Sequence, residues 1–320
     1  MSVFHSNDMK FLDVSSLSTQ YHTQKESIYA VTNVDFSITS GESIGIAGES
    51  ACGKSTLGLS LIRSIQNGDS EGKIIFNGID LLSISDQEFD EKFRWKEISM
   101  IFQGAMNSLD PVFTINEQFL EILTQHHFSG NKEKLIEDSL ESVNLSHDIL
   151  SKYPHELSGG MKQRVIIAMA LILSPKFVIA DEPTTALDVL TQAQIINTLK
   201  KLKAKGMSFM FITHDLGVLS EISDKIGIMY GGNMVEFGSL DDVFSNPKHP
   251  YTQGLLKSIP TLNGQKPQSI EGVPPSLNMM PTKCQFVDRC PHAFEKCESI
   301  PPKFITETGY VRCWLYDAKE

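Results

Sequence analysis

The sequence predicts an α/β fold around a mostly parallel sheet, with a helical insertion and a small, loop-rich C-terminal extension. Three observations lead there. Strand-like apolar runs alternate with helix-like periods, the pattern of strands joined by helical crossovers. A glycine-rich loop, GESACGKST at residues 48–56, lies between one such run and a helix. Residues 176–180 (KFVIA) and 208–213 (SFMFIT) are continuous apolar runs, as expected of strands buried on both faces.

In chain order, residues 31–38 read as a strand, Gly41 as a turn, and residues 43–47 as a short apolar strand. Residues 56–63 continue the glycine-rich loop as a helix. Residues 73–79 resemble a hairpin closed at Asn77-Gly78, a dipeptide suited to tight turns between strands. Between residues 107 and 156 the period turns helical, with helices expected over 117–124 and 132–143, and another over 192–203. After residue 244 prolines cluster and periodicity fades. The expected division is a main domain over residues 1–243, with its helical part at about 107–170, and an extension over 244–320.

Composition excludes several classes. A hydrophobic fraction of 41% and a charged fraction of 21% suit a globular chain. A formal charge of −11 argues against a dedicated nucleic-acid binder, which presents a basic face. The longest apolar run, residues 165–173, stops at Ser174, Pro175 and Lys176, short of the roughly 20 residues that span a bilayer, so it is expected to be a buried helix. The N-terminus shows no secretory pattern, so the chain is expected to stay in the cytoplasm and to associate with a membrane through partner subunits.

The loop at 48–56 fits G-x-x-x-x-G-K-[ST]. Gly48 and Gly53 let backbone N–H groups of Glu49, Ser50, Ala51, Cys52 and their neighbours wrap phosphates, and the following helix adds positive charge at its N-terminus. Lys54 is expected to reach the β- and γ-phosphates; Ser55 offers a hydroxyl to Mg²⁺, and Thr56 continues the helix. Cys52 reads as a small residue of the loop. Residues 176–183 (KFVIADEP) supply what the loop lacks: Asp181 to hold Mg²⁺ directly or through water, and Glu182 to polarise an attacking water.

Residues 157–164 (LSGGMKQR) closely resemble the LSGGQ-type signature of ATP-binding cassette proteins. Met161 stands where glutamine is common. The resemblance implies a P-loop NTPase cassette with an antiparallel β subdomain and an inserted helical subdomain. It further implies that Ser158, Gly159 and Gly160 grip a γ-phosphate bound to the other subunit of a head-to-tail pair. Gln103, after the strand 98–102, resembles the Q-loop glutamine that senses Mg²⁺ and couples to the membrane subunit. Residues 186–188 (ALD) resemble the D-loop, with Asp188 at the dimer seam, and His214 resembles the switch histidine that contacts the γ-phosphate. Tyr21 has the spacing of the adenine-stacking aromatic, and Tyr29 could do the same job. An unrelated P-loop kinase or GTPase does not explain LSGGM.

Residues 249–252 (HPYT), 255–256 (LL), 258–260 (SIP) and 272–275 (GVPP) resemble the tail of dipeptide and oligopeptide importer ATPases, so the likeness runs from about residue 10 to about residue 315. It implies ATP and Mg²⁺ as ligands, and a paralogous second ATPase as the pair partner, although a second copy stays open. Two permease subunits and an extracytoplasmic binding protein complete the expected assembly at the cytoplasmic face of the membrane. Cargo stays open between di- or oligopeptides, oligosaccharides and nickel. A soluble mechanical ATPase of DNA repair or translation is the alternative of another class, against which stands the lack of sustained heptads. Cys284, Cys290, Cys297 and Cys313 follow C-x5-C-P-x5-C-x15-C, a spacing that could hold a 4Fe–4S cluster or zinc, or leave free thiols.

Overall fold

The computed structural model describes residues 10–104, 108–185, 187–258 and 269–317. It divides into two compact units, one formed by Met1–Ile84 with Ile212–Glu320, the other by Ser85–Phe211.

The first unit opens with strands β1 (Leu12–His22), β2 (Ser27–Ile38) and β3 (Ser43–Ala47), helix α1 (Lys54–Leu61), and strands β4 (Gly68–Phe76) and β5 (Ile79–Asp80). An antiparallel sheet runs in the order β2-β1-β4-β5. Along β1, Leu12, Val14, Leu17 and Thr19 are buried, and Thr19 Oγ1 meets Ser60 Oγ of α1 at 2.7 Å. The β4–β5 turn forms where expected: Asn77 and Gly78 both take positive φ, 48° and 81°, which a tight turn between twisted strands requires. All five residues of β3 are buried.

The second unit contains α2 (Asp86–Lys92), β6 (Ile98–Ile101), α3 (Ile115–Gln125), α4 (Lys132–Ser142), α5 (Gly159–Leu171), β7 (Phe177–Asp181) and α6 (Val189–Ala204). Strand β8 (Ser208–Ile212) ends it, its last residue opening the return of the first unit. The strand order is β8-β7-β6, with β6 and β7 parallel and Ile98 opposite Phe177. The helical insertion is built as its period predicts. Thr114 and Glu117 form a reciprocal cap on α3, and Asn131 caps α4. Phe119, Leu123, Ile136 and Leu140 are buried, each burial contributing roughly 1.5–3 kcal/mol. Ser139 Oγ donates to Ala168 O of α5 at 2.9 Å. Residues 165–171 of α5 are buried, and among the described residues no helix is long and apolar enough to cross a membrane.

The first unit resumes with α7 (Leu216–Ile222), β9 (Lys225–Tyr230), β10 (Asn233–Ser239), α8 (Leu240–Ser245), α9 (Pro250–Lys257), β11 (Phe304–Ile305) and β12 (Tyr310–Val311). Its second sheet includes the run β11-β12-β10-β9-β3, with β9 parallel to β3 and Gly45 opposite Ile226. Gly231 and Gly232, φ 55° and 79°, turn β9 into β10. The C-terminal extension is loop-rich, as expected, and is tied into the first unit by short elements. Its β12 adds to β10, with Phe237 opposite Tyr310. Tyr310 donates to Asp35 O at 2.7 Å, and Arg312 reaches Asn33 O at 2.8 Å and the Asp35 carboxylate at 3.0 Å. Packed rings of Tyr230, Tyr251 and Phe286, with centroids 4.5–5.4 Å apart, hold the extension against the first unit's core.

Candidate functional site

The loop joining β3 to α1 is shaped by two glycines that no other residue could replace without movement. Gly48 has φ 152°, and a Cβ there would lie 2.2 Å from Met229 O. Gly53 has φ 102°, and a Cβ there would lie 2.0 Å from Ala30 O. The loop thus closes tightly on β9 and β2, leaving a narrow cradle at the start of α1. The Lys54 side chain is 9% exposed, and its ammonium donates to Gly48 O and Glu49 O, both at 2.8 Å. A cation lodged at the mouth of a helix N-terminal cradle is the arrangement that receives phosphate. Cys52 is buried 3.8 Å from that ammonium, and burial raises its thiol pKa, which keeps it neutral.

Residues distant in sequence secure the loop. The Glu49 N–H donates to Tyr251 OH at 2.9 Å, and the Glu49 carboxylate takes two hydrogen bonds from Arg289 at 2.8 and 3.0 Å. Gly232 N–H donates to Cys52 O at 3.2 Å. These partners escape sequence reasoning. Tyr251 and Arg289 lie 202 and 240 positions from Glu49, and no local motif links them.

Tyr21 and Tyr29 separate by strand alternation. Tyr21 pairs with Ile28 and Tyr29 with Gln20, so the two rings occupy opposite faces. Tyr21 OH donates to Thr56 Oγ1 at 3.3 Å, on the side of α1, whereas Tyr29 lines a cavity of about 100 Å³ with Gln20 and Met280. His214 is exposed beyond the end of β8. Its neighbour Thr213 donates its N–H to Ile46 O of β3, so the first unit brings Tyr21, residues 48–56 and His214 to one end of β3.

In the second unit Asp181 ends β7 at 2% exposure. Glu182 follows with φ 48°, a left-handed conformation that costs a residue with a side chain about 1–3 kcal/mol. Thr185 Oγ1 donates to its carboxylate at 2.9 Å. Ser158 caps α5, its hydroxyl accepting from Met161 N–H at 3.3 Å. Gly160 permits the close approach of α6, since a Cβ there would meet Thr191 Cγ2 at 2.5 Å. Asp188 caps α6 by accepting from Thr191 N–H and Oγ1, bonds that lower its pKa. Gln103 is exposed after β6; Ala186, like residues 105–107, lies outside the described residues. Near Gln103 is a groove of about 320 Å³ lined by Trp95, Met100, Phe102, Leu109, Ile122 and Met169. Phe102, Val112 and Phe113 are large apolar side chains left exposed in this region of the chain.

Mg²⁺ fits what is present. In the first unit the Ser55 hydroxyl beside the phosphate cradle is a hard oxygen donor, and in the second unit the buried Asp181 carboxylate is a donor of the same class. The iron–sulfur expectation finds no support. Cys284, Cys290, Cys297 and Cys313 are free thiols, and among the described residues no group of three or more His, Cys, Asp or Glu is arranged to hold a metal ion. Burial pushes Cys284 and Cys313 up to about 11 and raises Cys290, so in the metal-free chain these thiols are neutral. His249 is structural as well: it is 1% exposed, burial lowers its pKa to about 3, and its Nδ1 accepts from Tyr251 N–H at the start of α9.

Comparison with known proteins places these features. Residues 31–185 match the family model described as ABC transporter, and residues 235–297 match the oligopeptide/dipeptide transporter C-terminal region. The chain is 45% identical to the oligopeptide transport ATP-binding protein AppD of Bacillus subtilis (strain 168), over 96% of its length and 97% of the relative's. It is 43% identical to the oligopeptide transport ATP-binding protein OppD of Escherichia coli (strain K12), over 97% and 94%. Among solved structures it resembles the dimeric ATP-binding cassette MJ0796 in a post-hydrolysis state bound to ADP and Pi. That likeness has a TM-score of 0.64 at 29% identity, covering 72% of this chain and 98% of the other.

Proposed function

Because this chain belongs to the ABC transporter ATP-binding proteins that carry the oligopeptide/dipeptide transporter C-terminal region, we propose that its ATPase activity powers the import of di- and oligopeptides through a membrane permease. The chain is an ATP-binding cassette ATPase. The carrying observation is the phosphate cradle, in which Gly48 and Gly53 close the loop onto neighbouring carbonyls and Lys54 stands at its mouth.

ATP enters as substrate, its phosphates taken by the loop amides and Lys54, its adenine stacked on Tyr21. Ser55, Gln103 and Asp181 would hold Mg²⁺, which neutralises charge on the β- and γ-phosphate oxygens when bound. Glu182 accepts a hydrogen bond from the attacking water and orients it, and His214 steadies the γ-phosphate. Ser158, Gly159, Gly160 and Asp188 act on the nucleotide held by the pair partner. Catalysis then rests on placement and charge rather than on covalent chemistry.

The pair partner is a paralogous cassette, and the transporter includes two permease subunits and an extracytoplasmic binding protein. The chain works at the cytoplasmic face of the membrane. The apolar groove beside Gln103 is the surface offered to the permease, which links nucleotide sensing to membrane helices. In domain terms, a cassette over residues 1–243 is followed by the importer-type extension over 244–320.

The test is ATP hydrolysis by the complex reconstituted with its membrane subunits, with the binding protein empty or loaded with peptide, oligosaccharide or nickel. Stimulation by peptide alone supports the reading. Stimulation by another cargo redirects the substrate, and indifference to every cargo revives a soluble ATPase.

A further inference from the structure

We propose that Arg289, contributed by the C-terminal extension, is a positioning residue for the phosphate loop: by gripping Glu49 it holds the loop ready for nucleotide, so the extension sets ATP affinity. The inference rests on the ATPase reading and deepens it.

The contact is built, not incidental. The Arg289 side chain is 5% exposed and Glu49 26% exposed. All five guanidinium N–H groups have acceptors: Nε on Glu271 O at 2.8 Å, Nη1 on Glu49 Oε2 at 2.8 Å and Tyr230 OH at 3.1 Å, Nη2 on Glu49 Oε1 at 3.0 Å and Ile270 O at 3.1 Å. The fork therefore meets the carboxylate with both its edges fixed, the geometry that gives a planar pair its directional strength. The guanidinium also lies 5.6 Å over the Tyr230 ring and 6.0 Å over Phe286.

Glu49 is the residue through which this grip reaches the nucleotide site. It is the first residue after Gly48, and its carbonyl holds the Lys54 ammonium. Its N–H is fixed by Tyr251 OH, a tyrosine fully buried in the ring cluster. One residue of the loop is thus held at three points, its N–H, carboxylate and carbonyl, and two of the three partners come from beyond β10. If the Arg289–Glu49 pair opens, the half-buried carboxylate loses its partner and the loop backbone, whose Glu49 carbonyl holds the Lys54 ammonium, loses an anchor. Freedom of that backbone weakens phosphate binding. The effect falls on affinity, because neither group touches the reacting atoms.

The test measures binding of a fluorescent ATP analogue with Mg²⁺ to the full chain, and KM and kcat for ATP in the reconstituted transporter. Arg289→Gln and Glu49→Gln are each expected to raise Kd and KM by about tenfold, with kcat at saturating ATP held within about twofold. The double variant should be no weaker than the worse single one, because the two act through one contact. Arg289→Lys should recover only part of the affinity, since a point charge cannot reproduce the fork. Singles that bind within twofold of wild type overturn the proposal. So does a double variant whose defects multiply, or one whose loss appears in kcat and thermal stability with KM unmoved. Should Arg289→Gln fail to fold, Glu49→Gln, which keeps size and shape at a partly exposed position, decides alone. A wild-type chain that does not bind the analogue overturns the ATPase reading itself. Wild-type binding with indifferent variants overturns the clamp alone.

Discussion

Gly53→Ala tests the cradle most directly, because its effect separates into two parts that a second glycine can isolate. The first is backbone strain: φ 102° is hostile to a residue with a Cβ, at about 1–3 kcal/mol. The second is contact. The new Cβ would stand 2.0 Å from Ala30 O, well inside any van der Waals separation, and the atom it meets is backbone within β2. Either β2 or the start of α1 must move, and overpacking of this kind costs about 1–3 kcal/mol more. Gly78→Ala is the control. Its φ is 81° and a Cβ there meets nothing within 4 Å, so it carries strain alone, about 1–2 kcal/mol.

Using about 2–4 °C of melting temperature per kcal/mol, Gly78→Ala should lower Tm by roughly 2–8 °C. Gly53→Ala should lower it by roughly 4–24 °C and weaken ATP-analogue binding at least about tenfold, because Gly53 O also accepts Leu57 N–H, the bond that starts α1. The assay is a melting curve and a binding titration on both variants. Equal Tm shifts, with Gly53→Ala still binding nucleotide normally, would refute the claim that close approach of β2 shapes the loop.

Three further outcomes follow from the same geometry. Glu182→Gln should abolish ATP turnover while ATP still binds and the closed dimer accumulates; full residual hydrolysis in the reconstituted transporter would remove Glu182 from its role. Ser158→Ala should lower stability by about 1 kcal/mol through loss of the α5 cap and also slow hydrolysis, whereas Thr114→Ala removes a cap of similar worth from α3 and should leave kcat/KM unchanged. Matching activity losses would attribute the Ser158 effect to folding. Stability should also fall with acid: His249 has a folded pKa of about 3 against an ordinary value of 6.5, so between these values the unfolded chain binds the extra proton. That loses about 1.4 kcal/mol per pH unit below 6.5. His126, also lowered by burial, adds in the same direction; buried Glu236, raised by burial, opposes at lower pH. Melting between pH 7.5 and 5.5 should show the drop, and His249→Asn, a non-titrating cap, should shrink it; an unchanged drop sinks the assignment.

What the sequence disclosed was what local chemistry enforces. The cradle was legible because positive φ admits only glycine at Gly48 and Gly53, and because a cation and a hydroxyl follow at fixed spacing. The β4–β5 turn was legible for the same reason, since Asn77-Gly78 leaves the backbone few alternatives. Strand β1 was missed because Ser and Thr interrupt its Leu and Val, and because register shifts between Val14 and Gln20 break the period of two. The β9–β10 hairpin was passed over although Gly231-Gly232 between two apolar runs announces it.

The extension was legible as a loop-rich piece from its prolines and scarce periodicity, but what holds it was not. The fold stabilises it through interactions that have no period: a two-residue strand added to β10, three packed rings, and guanidinium groups of Arg289 and Arg312 hydrogen-bonded to carbonyls and carboxylates. Such contacts join residues hundreds of positions apart, so no window along the chain reveals them. They also explain why the extension matters to the nucleotide site. A segment anchored by Arg312 to Asp35 and by Arg289 to Glu49 spans from the outer edge of β2 to the phosphate loop. Any movement of it must therefore strain or release one of those ion pairs, and the pair at Glu49 is the one that the bound phosphates would feel.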